Sequence, residues 1–356
     1  MLRTHVPEDQ FDLTERGSCA LFSRSPPAPF GSRGATLRFV ERAYRVRRSC
    51  LAVPASNQRF IEKARGLPAD EVFLDLEDSV APAVKAAARA NAAAAAAGDW
   101  GGRLVAVRVN DASTRWAHRD VLDVVGGGQV GVDVIVLPKV TSPDHVVWLD
   151  LLLGQVEREA GLAAGQTGIE AQIEDAGGLA AVNAIAAASP RLEALVFGPA
   201  DFTASVGIRS LDVGGQPEGY AGGDAYHYAL MRILIAARSR DVAAIDGPYL
   251  KIRDLDGFRR SAASAAALGY DGKWVLHPAQ IEAANEVFAP SAAEYSRAAA
   301  IIEAYSHAIA VDRRGAVMLG DEMIDEASRK MAQAVVARGN AAGFAPQKFP
   351  DADENS

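Results

Sequence analysis

The chain has 356 residues and a mass of 37.5 kDa; 49% of the residues are hydrophobic and 23% are charged, which supports a large folded core. A net charge of −8 and an isoelectric point near 5.4 oppose nonspecific binding to nucleic acids or anionic membranes. Only two cysteines occur, Cys19 and Cys50, and no apolar run approaches the roughly 18 residues needed to cross a bilayer. We therefore expect a cytoplasmic protein without a membrane span.

Residues 1–43 are rich in proline, serine, glycine and arginine, show no sustained period, and are predicted to form a flexible leader. From residue 44 onward, short β-like runs alternate with helical patterns such as KAAARANAAAAAA and YHYALMRILIAARSR. Eight runs are expected to be strands: SCLAVP, VFLDLE, LVAVRVN, VDVIVLPK, IEAQIE, LEALVFG, VAAIDGP and KWVLHP.

Eight strands separated by helices predict an α/β fold, a TIM (β/α)8 barrel, over residues 44–289. A doubly wound open sheet is the competing topology, but it would usually have fewer strands and a glycine-rich turn after the first. Beyond the eighth run, Pro290 and Gly315 divide the chain into a helix, a short hairpin-like link and a final helix. Residues 290–340 are therefore predicted to form a C-terminal helical lid and oligomerisation segment, and residues 341–356 a frayed tail.

Polar side chains stand at the ends of several of these runs. They are Glu77, Asp78, Arg108, Asn110, Lys139, Glu174, Asp201, Asp246 and His277. Active sites of α/β barrels are assembled from strand ends and the loops that follow them. The recurrence of polar groups at these positions therefore predicts an active site at one mouth of the barrel.

The two acids Glu174 and Asp201 each follow a short apolar run, on two successive strands. Such carboxylates converge on one mouth of a barrel, and Mg²⁺ needs only a few protein carboxylates because water and substrate complete its octahedron. The pair predicts a magnesium site, with manganese as the alternative ion. Helix capping or ion pairing is the structural explanation for either acid taken singly.

Arg108 lies within an apolar run, where an unpaired permanent cation would be costly. Either it neutralises a structural acid such as Glu77 or Asp78, or it faces a substrate and stabilises a developing enolate oxygen. We prefer the second interpretation. Glu77 and Asp78, in the motif DLED, are then predicted to support the site by orienting Arg108 or Lys139.

His277 precedes a proline at the end of the eighth run and has no partner at metal-ligand spacing. We predict that it lines the pocket, with a structural histidine as the alternative. Asp325, in GDEMID, follows an apolar step and precedes a predicted helix, so local sequence alone predicts a helix N-cap.

In their order along the chain, these motifs resemble the citrate lyase β-subunit and malyl-CoA lyase group of the HpcH/HpaI aldolase superfamily. The resemblance runs from about Arg48 to about Ala334. It rests on RSCLAVPASN, DLEDSVAPAVKAAAR, VRVN, the Glu174 segment, GPADF, GKWVLHPAQ with NEVFAPS, and GDEMID. Within that group, DLEDSVAPAVK, IDGPY and GKWVLHP are most similar to the malyl-CoA/β-methylmalyl-CoA lyases.

The resemblance implies a magnesium ion on Glu174 and Asp201, and an arginine, Arg108, that binds the thioester carbonyl and steadies the enolate. It implies that backbone around Ala200 and Asp201 holds the glyoxylate carboxylate. Asp325 would be the acid/base, supplied by the lid of a neighbouring subunit in a homotrimer or homohexamer. The residues implied to lie along coenzyme A are Asn57, Lys63, Leu276 and His277.

The implied activity is a carbon–carbon lyase that reversibly splits malyl-CoA or β-methylmalyl-CoA, both 3-hydroxy-dicarboxyl-CoA esters, into glyoxylate and acetyl-CoA or propionyl-CoA. Its partners would be the acyl-CoA thioester and glyoxylate, and neither a nucleic acid nor a membrane. The alternatives are a malyl-CoA thioesterase, a citrate or citramalyl lyase β-subunit, and a non-catalytic CoA-binding protein. The last is disfavoured because Arg108, Glu174, Asp201 and Asp325 are all present.

Overall fold

The computed structural model describes residues 45–127 and 131–345. Eight parallel strands close into a barrel in sequence order, and the ring is completed by pairing of the first strand with the eighth. The strands are β1 (Ser49–Pro54), β2 (Glu71–Asp75), β3 (Leu104–Arg108), β4 (Val134–Leu137), β5 (Gly168–Ile173), β6 (Leu192–Phe197), β7 (Ala243–Asp246) and β8 (Gly272–Val275). The predicted TIM barrel is thus confirmed, and each predicted run overlaps one strand.

Helices connect successive strands and cover the outside of the barrel. They are α1 (Gln58–Ala64), α2 (Lys85–Ala96) after a 3₁₀ turn (Pro82–Val84), α3 (Ala117–Val125), α4 (Pro143–Ala160), α5 (Ala176–Ala186), α6 (Pro199–Val206), α7 (His227–Arg238), α8 (Leu255–Leu268) and α9 (Pro278–Val287). Within the described parts of the chain, we find no helix with the length and apolarity that a membrane crossing requires.

The barrel has two apolar layers, because successive side chains of a strand point to opposite faces. In β2, Phe73 packs inside the barrel, where it meets Trp274 of β8. Its neighbours Val72 and Leu74 pack outward against the helices. Strands buried on both faces read as continuous apolar runs, which explains why all eight could be recognised in the sequence.

A buried cluster of charges closes the amino-terminal end of the barrel. Arg47 donates from Nε to Glu170 Oε1 at 2.7 Å and from Nη2 to Glu193 Oε2 at 2.5 Å, and Glu71 Oε2 lies 3.3 Å from its Nε. Burial raises the pKa of Glu71 well above its ordinary value, and the neighbouring Glu170 carboxylate raises it further. A proton held on Glu71 would reduce the repulsion between these two buried acids.

After the barrel, the chain forms α10 (Ala292–His307), a π-helical turn (Ala308–Asp312), the hairpin of β9 (Ala316–Leu319) and β10 (Glu322–Asp325), and α11 (Glu326–Ala341). The predicted helix, hairpin-like link and final helix are confirmed. Helices α10 and α11 pack through a small apolar cluster that includes Tyr295, Ile302 and Val336. The role of residues 290–340 as a lid and the predicted domain boundaries stay predictions. The predicted leader, and the predicted tail beyond residue 345, lie outside the described residues.

Candidate active site

A cavity of about 410 Å³ opens where the barrel strands end. It is lined by four of the nine polar residues that the sequence singled out, together with the aromatic rings of Phe73 and Trp274. The lining includes Asp75, Asp78, Arg108, Gln172, Glu174, Ala200, Asp201, Trp274 and Leu276. Polar groups named from the sequence thus line one cavity at the carboxyl ends of the strands, and its use as an active site stays a prediction.

Glu174 follows β5 directly and is held by hydrogen bonds to both carboxylate oxygens. Its Oε1 accepts from the backbone N–H of Lys139 at 2.7 Å, and its Oε2 accepts from Gln172 Nε2 at 2.5 Å. Gly198 packs against the same side chain, and a Cβ atom there would lie only 2.4 Å from Glu174 Cβ. The carboxylate is thus oriented by its neighbours before any ligand binds.

Asp201 lies in the first turn of α6, two residues after Pro199 at the start of the helix. A carboxylate is favoured there by the helix dipole, and proline is tolerated at the first position because its N–H would have no partner within the helix. Its side chain is 44% exposed, and Oδ2 lies 3.6 Å from Lys139 Nζ. Asp201 therefore presents an accessible carboxylate beside the buried Glu174.

This pair fits a hard divalent cation. Burial raises the pKa of Glu174 well above its ordinary value, and the negative charges of Glu77 and Asp201 raise it further, so a cation between the acids would relieve the repulsion. Over residues 45–127 and 131–345, no group of three or more His, Cys, Asp or Glu side chains is arranged to hold a metal. Two carboxylates, with water or substrate oxygens in the cavity, match the way Mg²⁺ is usually bound.

Arg108, the last residue of β3, is held by two acids. Nε and Nη2 donate to the two oxygens of Asp75 at 2.7 and 2.8 Å, and Nη1 lies 3.1 Å from Glu77 Oε2. Burial alone would lower the pKa of Arg108, but Asp75 and Glu77 raise it above its ordinary value, so the guanidinium stays charged. The sequence interpretation named Glu77 and Asp78 and missed Asp75; Glu77 does pair with Arg108, whereas Asp78 pairs with Lys139.

Arg108 also faces the cavity. Its guanidinium carbon lies 5.3 Å from the centre of the Trp274 ring and 6.0 Å from that of Phe73, two rings that pack with centroids 4.4 Å apart. The two alternatives for this residue are therefore compatible, because one guanidinium both neutralises buried acids and reaches the cavity. An oriented, permanently charged donor of this kind can stabilise negative charge on a bound oxygen.

Lys139 connects the support groups to the two acids. Its ammonium donates to Glu77 and lies 3.4 Å from Asp78 Oδ2, which agrees with the predicted supporting role of these acids. The loop that carries Glu77 is itself held by Lys85, whose Nζ donates to the carbonyl oxygens of Leu76 at 2.8 Å and Glu77 at 2.9 Å. Lys85 was not singled out in the sequence.

A second cavity of about 370 Å³ adjoins the first and shares Ala52, Pro54 and Leu276 with it. Its lining is mostly apolar, including Leu51, Val53, Phe60 and Leu67, with Lys63 and His277 among the polar members. His277 caps α9, accepting from Ala279 N–H at 3.2 Å, so it has a structural bond and also lines this groove. Asn57 caps α1 and is not part of the lining.

Asp325 is the N-cap of α11, as local sequence predicted. Its Oδ1 accepts from Ser328 N–H at 3.0 Å, and this hydrogen bond lowers the pKa of Asp325. Asp325 lines neither of the two cavities just described. Within one chain, the structure thus brings together the predicted metal, arginine and support residues but leaves Asp325 apart from them.

Comparisons with known proteins agree with this geometry. Residues 48–278 match the family HpcH/HpaI aldolase/citrate lyase. The chain is 37% identical over 330 residues to an L-malyl-CoA/beta-methylmalyl-CoA lyase of Rhodobacter capsulatus, covering 90% of this chain and 99% of the relative. It is 34% identical over 297 residues to the citrate lyase subunit beta of Haemophilus influenzae, covering 83% and 97%. The crystal structure of CitE from Mycobacterium tuberculosis in complex with magnesium, acetoacetate and coenzyme A superposes with a TM-score of 0.65 at 28% identity, covering 82% of this chain and 97% of that one. The chain therefore belongs to the HpcH/HpaI aldolase/citrate lyase family and is a carbon–carbon lyase.

Proposed function

We propose that the protein is a Mg²⁺-dependent lyase that reversibly cleaves malyl-CoA or β-methylmalyl-CoA to glyoxylate and acetyl-CoA or propionyl-CoA. The observation that carries this proposal is the placement of Glu174, Asp201 and Arg108 around one cavity, next to an apolar groove. The similarity to the R. capsulatus lyase supports the choice of substrate. The M. tuberculosis complex with magnesium and coenzyme A supports the choice of cofactor and thioester.

The two cavities suit the two ends of such a substrate. The polar cavity, with its acids and guanidinium, accommodates the hydroxy-acid end. The apolar groove accommodates the pantetheine arm, and Lys63 and His277 lie along it for the polar groups of coenzyme A. The thioester would then lie where the cavities meet, near Leu276 and within reach of Arg108.

In the cleavage direction, the hydroxyl on C3 gives its proton to solvent water and becomes the carbonyl of glyoxylate, while the electrons of the C2–C3 bond move into the thioester enolate. Magnesium held by Glu174 and Asp201 would polarise the hydroxy-acid oxygen. Arg108 stabilises the enolate oxygen, and backbone N–H groups at Ala200 and Asp201 bind the glyoxylate carboxylate. Asp325 of a second copy protonates the enolate carbon, and in the reverse direction removes that proton.

We further propose a cytoplasmic homotrimer or homohexamer in which the C-terminal segment of one copy covers the cavity of another. Asp325 lines neither cavity of its own chain, and the same segment exposes Met318, Met323 and Met331, each 59–67% accessible. Apolar side chains of this size favour contact with another surface. A lid of this kind would keep water away from the enolate.

The test is product analysis with malyl-CoA, β-methylmalyl-CoA and citramalyl-CoA, before and after chelation of divalent ions. We expect glyoxylate and the matching acyl-CoA from one or both of the first two esters, loss of activity with chelator, and recovery with Mg²⁺. Glu174→Gln and Asp201→Asn should lose Mg²⁺ binding and turnover together. Free malate with coenzyme A would instead identify a thioesterase, and turnover only on an acyl-carrier protein would identify a citrate lyase β-subunit; either would overturn the proposal.

A further inference from the structure

We infer that Lys139 is an internal counter-ion that competes with magnesium for the site's carboxylates and also attracts the oxo-acid anion. This inference rests on the proposed metal site. It adds a residue that lowers the affinity for Mg²⁺ and raises the affinity for the oxo-acid anion. The Lys139 ammonium is within ion-pair distance of Glu77, Asp78 and Asp201. It therefore already supplies positive charge to one of the two carboxylates that would bind the ion.

The backbone of Lys139 shows that its position is specified. Its φ is +52°, in the left-handed region that a lysine rarely adopts. In this conformation its N–H donates to Glu174 Oε1 at 2.7 Å, while its ammonium lies 3.6 Å from Asp201 Oδ2. One residue thus contacts both proposed metal ligands, the first through the main chain and the second through its charge. Replacing the side chain can remove the charge and leave the main-chain bond in place.

The charges around the cavity give the direction of both effects. Five carboxylates face or support it, and among the described residues Arg108 and Lys139 are the cations that pair with them. A positive charge beside Asp201 weakens the attraction of that carboxylate for a divalent cation. The same charge offsets the repulsion that a bound oxo-acid carboxylate would feel from Asp78 and Asp201. Lys139 therefore lowers the affinity for metal and raises the affinity for the anion.

A purely structural lysine would behave differently. If Lys139 only held Glu77 and the loop after β4, its loss would loosen the site, and both ligands would bind more weakly. If Lys139 competes with Mg²⁺, removing its charge should strengthen Mg²⁺ binding and weaken binding of the oxo-acid anion. Only the competitive role therefore predicts tighter magnesium binding after the charge is removed.

The variants are Lys139→Gln, which removes the charge, and Lys139→Arg, which keeps it. Lys139→Asn is a second neutral variant. It is chosen because asparagine adopts the left-handed backbone conformation more readily than most residues other than glycine. The matched control is Arg259→Gln, which changes the net charge equally at an exposed ion pair with Glu286 on α8 and α9. Circular dichroism and melting temperature in metal-free buffer establish that each variant is folded.

The measurements are calorimetric titrations of the metal-free full-length protein with MgCl₂, followed by glyoxylate at saturating Mg²⁺. We expect Lys139→Gln and Lys139→Asn to bind Mg²⁺ about 10-fold more tightly and glyoxylate about 10-fold more weakly, while the arginine variant and the surface control stay near wild type. Equal or weaker Mg²⁺ binding by both neutral variants, with normal binding by the wild type, would overturn this inference alone. Failure of the wild type to bind Mg²⁺ would overturn the proposed metal site and this inference with it.

Discussion

The contact between Gly198 and Glu174 provides a strong test of the site geometry. A Cβ added at Gly198 would lie 2.4 Å from Glu174 Cβ, 2.5 Å from Glu174 Oε2 and 2.9 Å from Gln172 Nε2. The Gly198→Ala substitution therefore places one methyl group against the proposed metal ligand and against the side chain that orients it. The φ of Gly198 is −107°, so an alanine there meets no backbone penalty of the left-handed kind, and the effect is steric.

The size of the effect follows from these distances. Ordinary contact for a Cβ begins near 3.4 Å, so the new methyl is about 1 Å too close to Glu174 Cβ. The backbone cannot easily move away, because Gly198 N–H donates to Ile173 O at 3.0 Å, next to Glu174. We expect a loss of about 1–3 kcal/mol of unfolding free energy from overpacking. Displacement of the carboxylate should weaken Mg²⁺ binding by about 10- to 100-fold.

Isothermal titration with Mg²⁺ and denaturant unfolding measure these two effects separately. Gly315→Ala is the matched control, because a Cβ there has no heavy atom within 4 Å. If Gly198→Ala bound Mg²⁺ as the wild type does, while remaining folded, Glu174 in the orientation described here would not be a metal ligand. A loss of stability without a loss of metal affinity would lead to the same conclusion.

Three further results are expected. Arg108→Lys should lose on the order of 2–4 kcal/mol of transition-state stabilisation, measured from kcat/KM, because an ammonium cannot replace the planar guanidinium. Its Mg²⁺ binding should stay nearly intact. A lower melting temperature with near-normal specific activity would show a purely structural role. Mixing inactive Asp325→Asn with inactive Glu174→Gln should restore partial activity, and no recovery despite demonstrated subunit exchange would contradict a lid that acts in trans. Glu71→Gln should change the pH dependence of stability. Burial and the Glu170 carboxylate raise the pKa of Glu71 on folding, so the folded chain keeps a proton that the unfolded chain loses above pH of about 4.3. The free energy of unfolding of the wild type should therefore fall as pH rises toward the raised pKa, by at most about 1.4 kcal/mol per pH unit. Urea unfolding between pH 5 and 8 should show this slope reduced in the variant, and identical slopes would mean that Glu71 is ionised in the folded protein.

Much of the architecture was readable from the sequence because the physical signals were local. A parallel strand buried on both faces needs an unbroken apolar run, and each of the eight runs ended in a proline, a glycine or a polar residue. The N-cap at Asp325 was likewise a matter of a few adjacent residues, and the structure confirms it through Ser328. The closing of the strands into a ring followed from their number and from the helices between them.

The acids that pair with Arg108 were harder to predict from the sequence, although the alternation of side chains along β2 indicated one of them. Side chains alternate along a strand, so Phe73 and Asp75 of β2 lie on the same face. The parallel register places Asp75 directly beside Arg108, and Glu77 reaches the same guanidinium. Asp75 lies two positions after Phe73, which faces the barrel interior, so side-chain alternation would have predicted that Asp75 faces the interior too. Composition and motif order did not predict this.

Local sequence specifies which segments are strands and helices and which chemical groups stand at the ends of the strands. How those groups meet depends on the folded barrel. Examples are the N–H of Lys139, which donates to Glu174 from a left-handed backbone, and the close approach of Gly198 to the same side chain. These contacts join residues 24 to 35 positions apart, so their geometry depends on barrel closure and strand register rather than on local propensity.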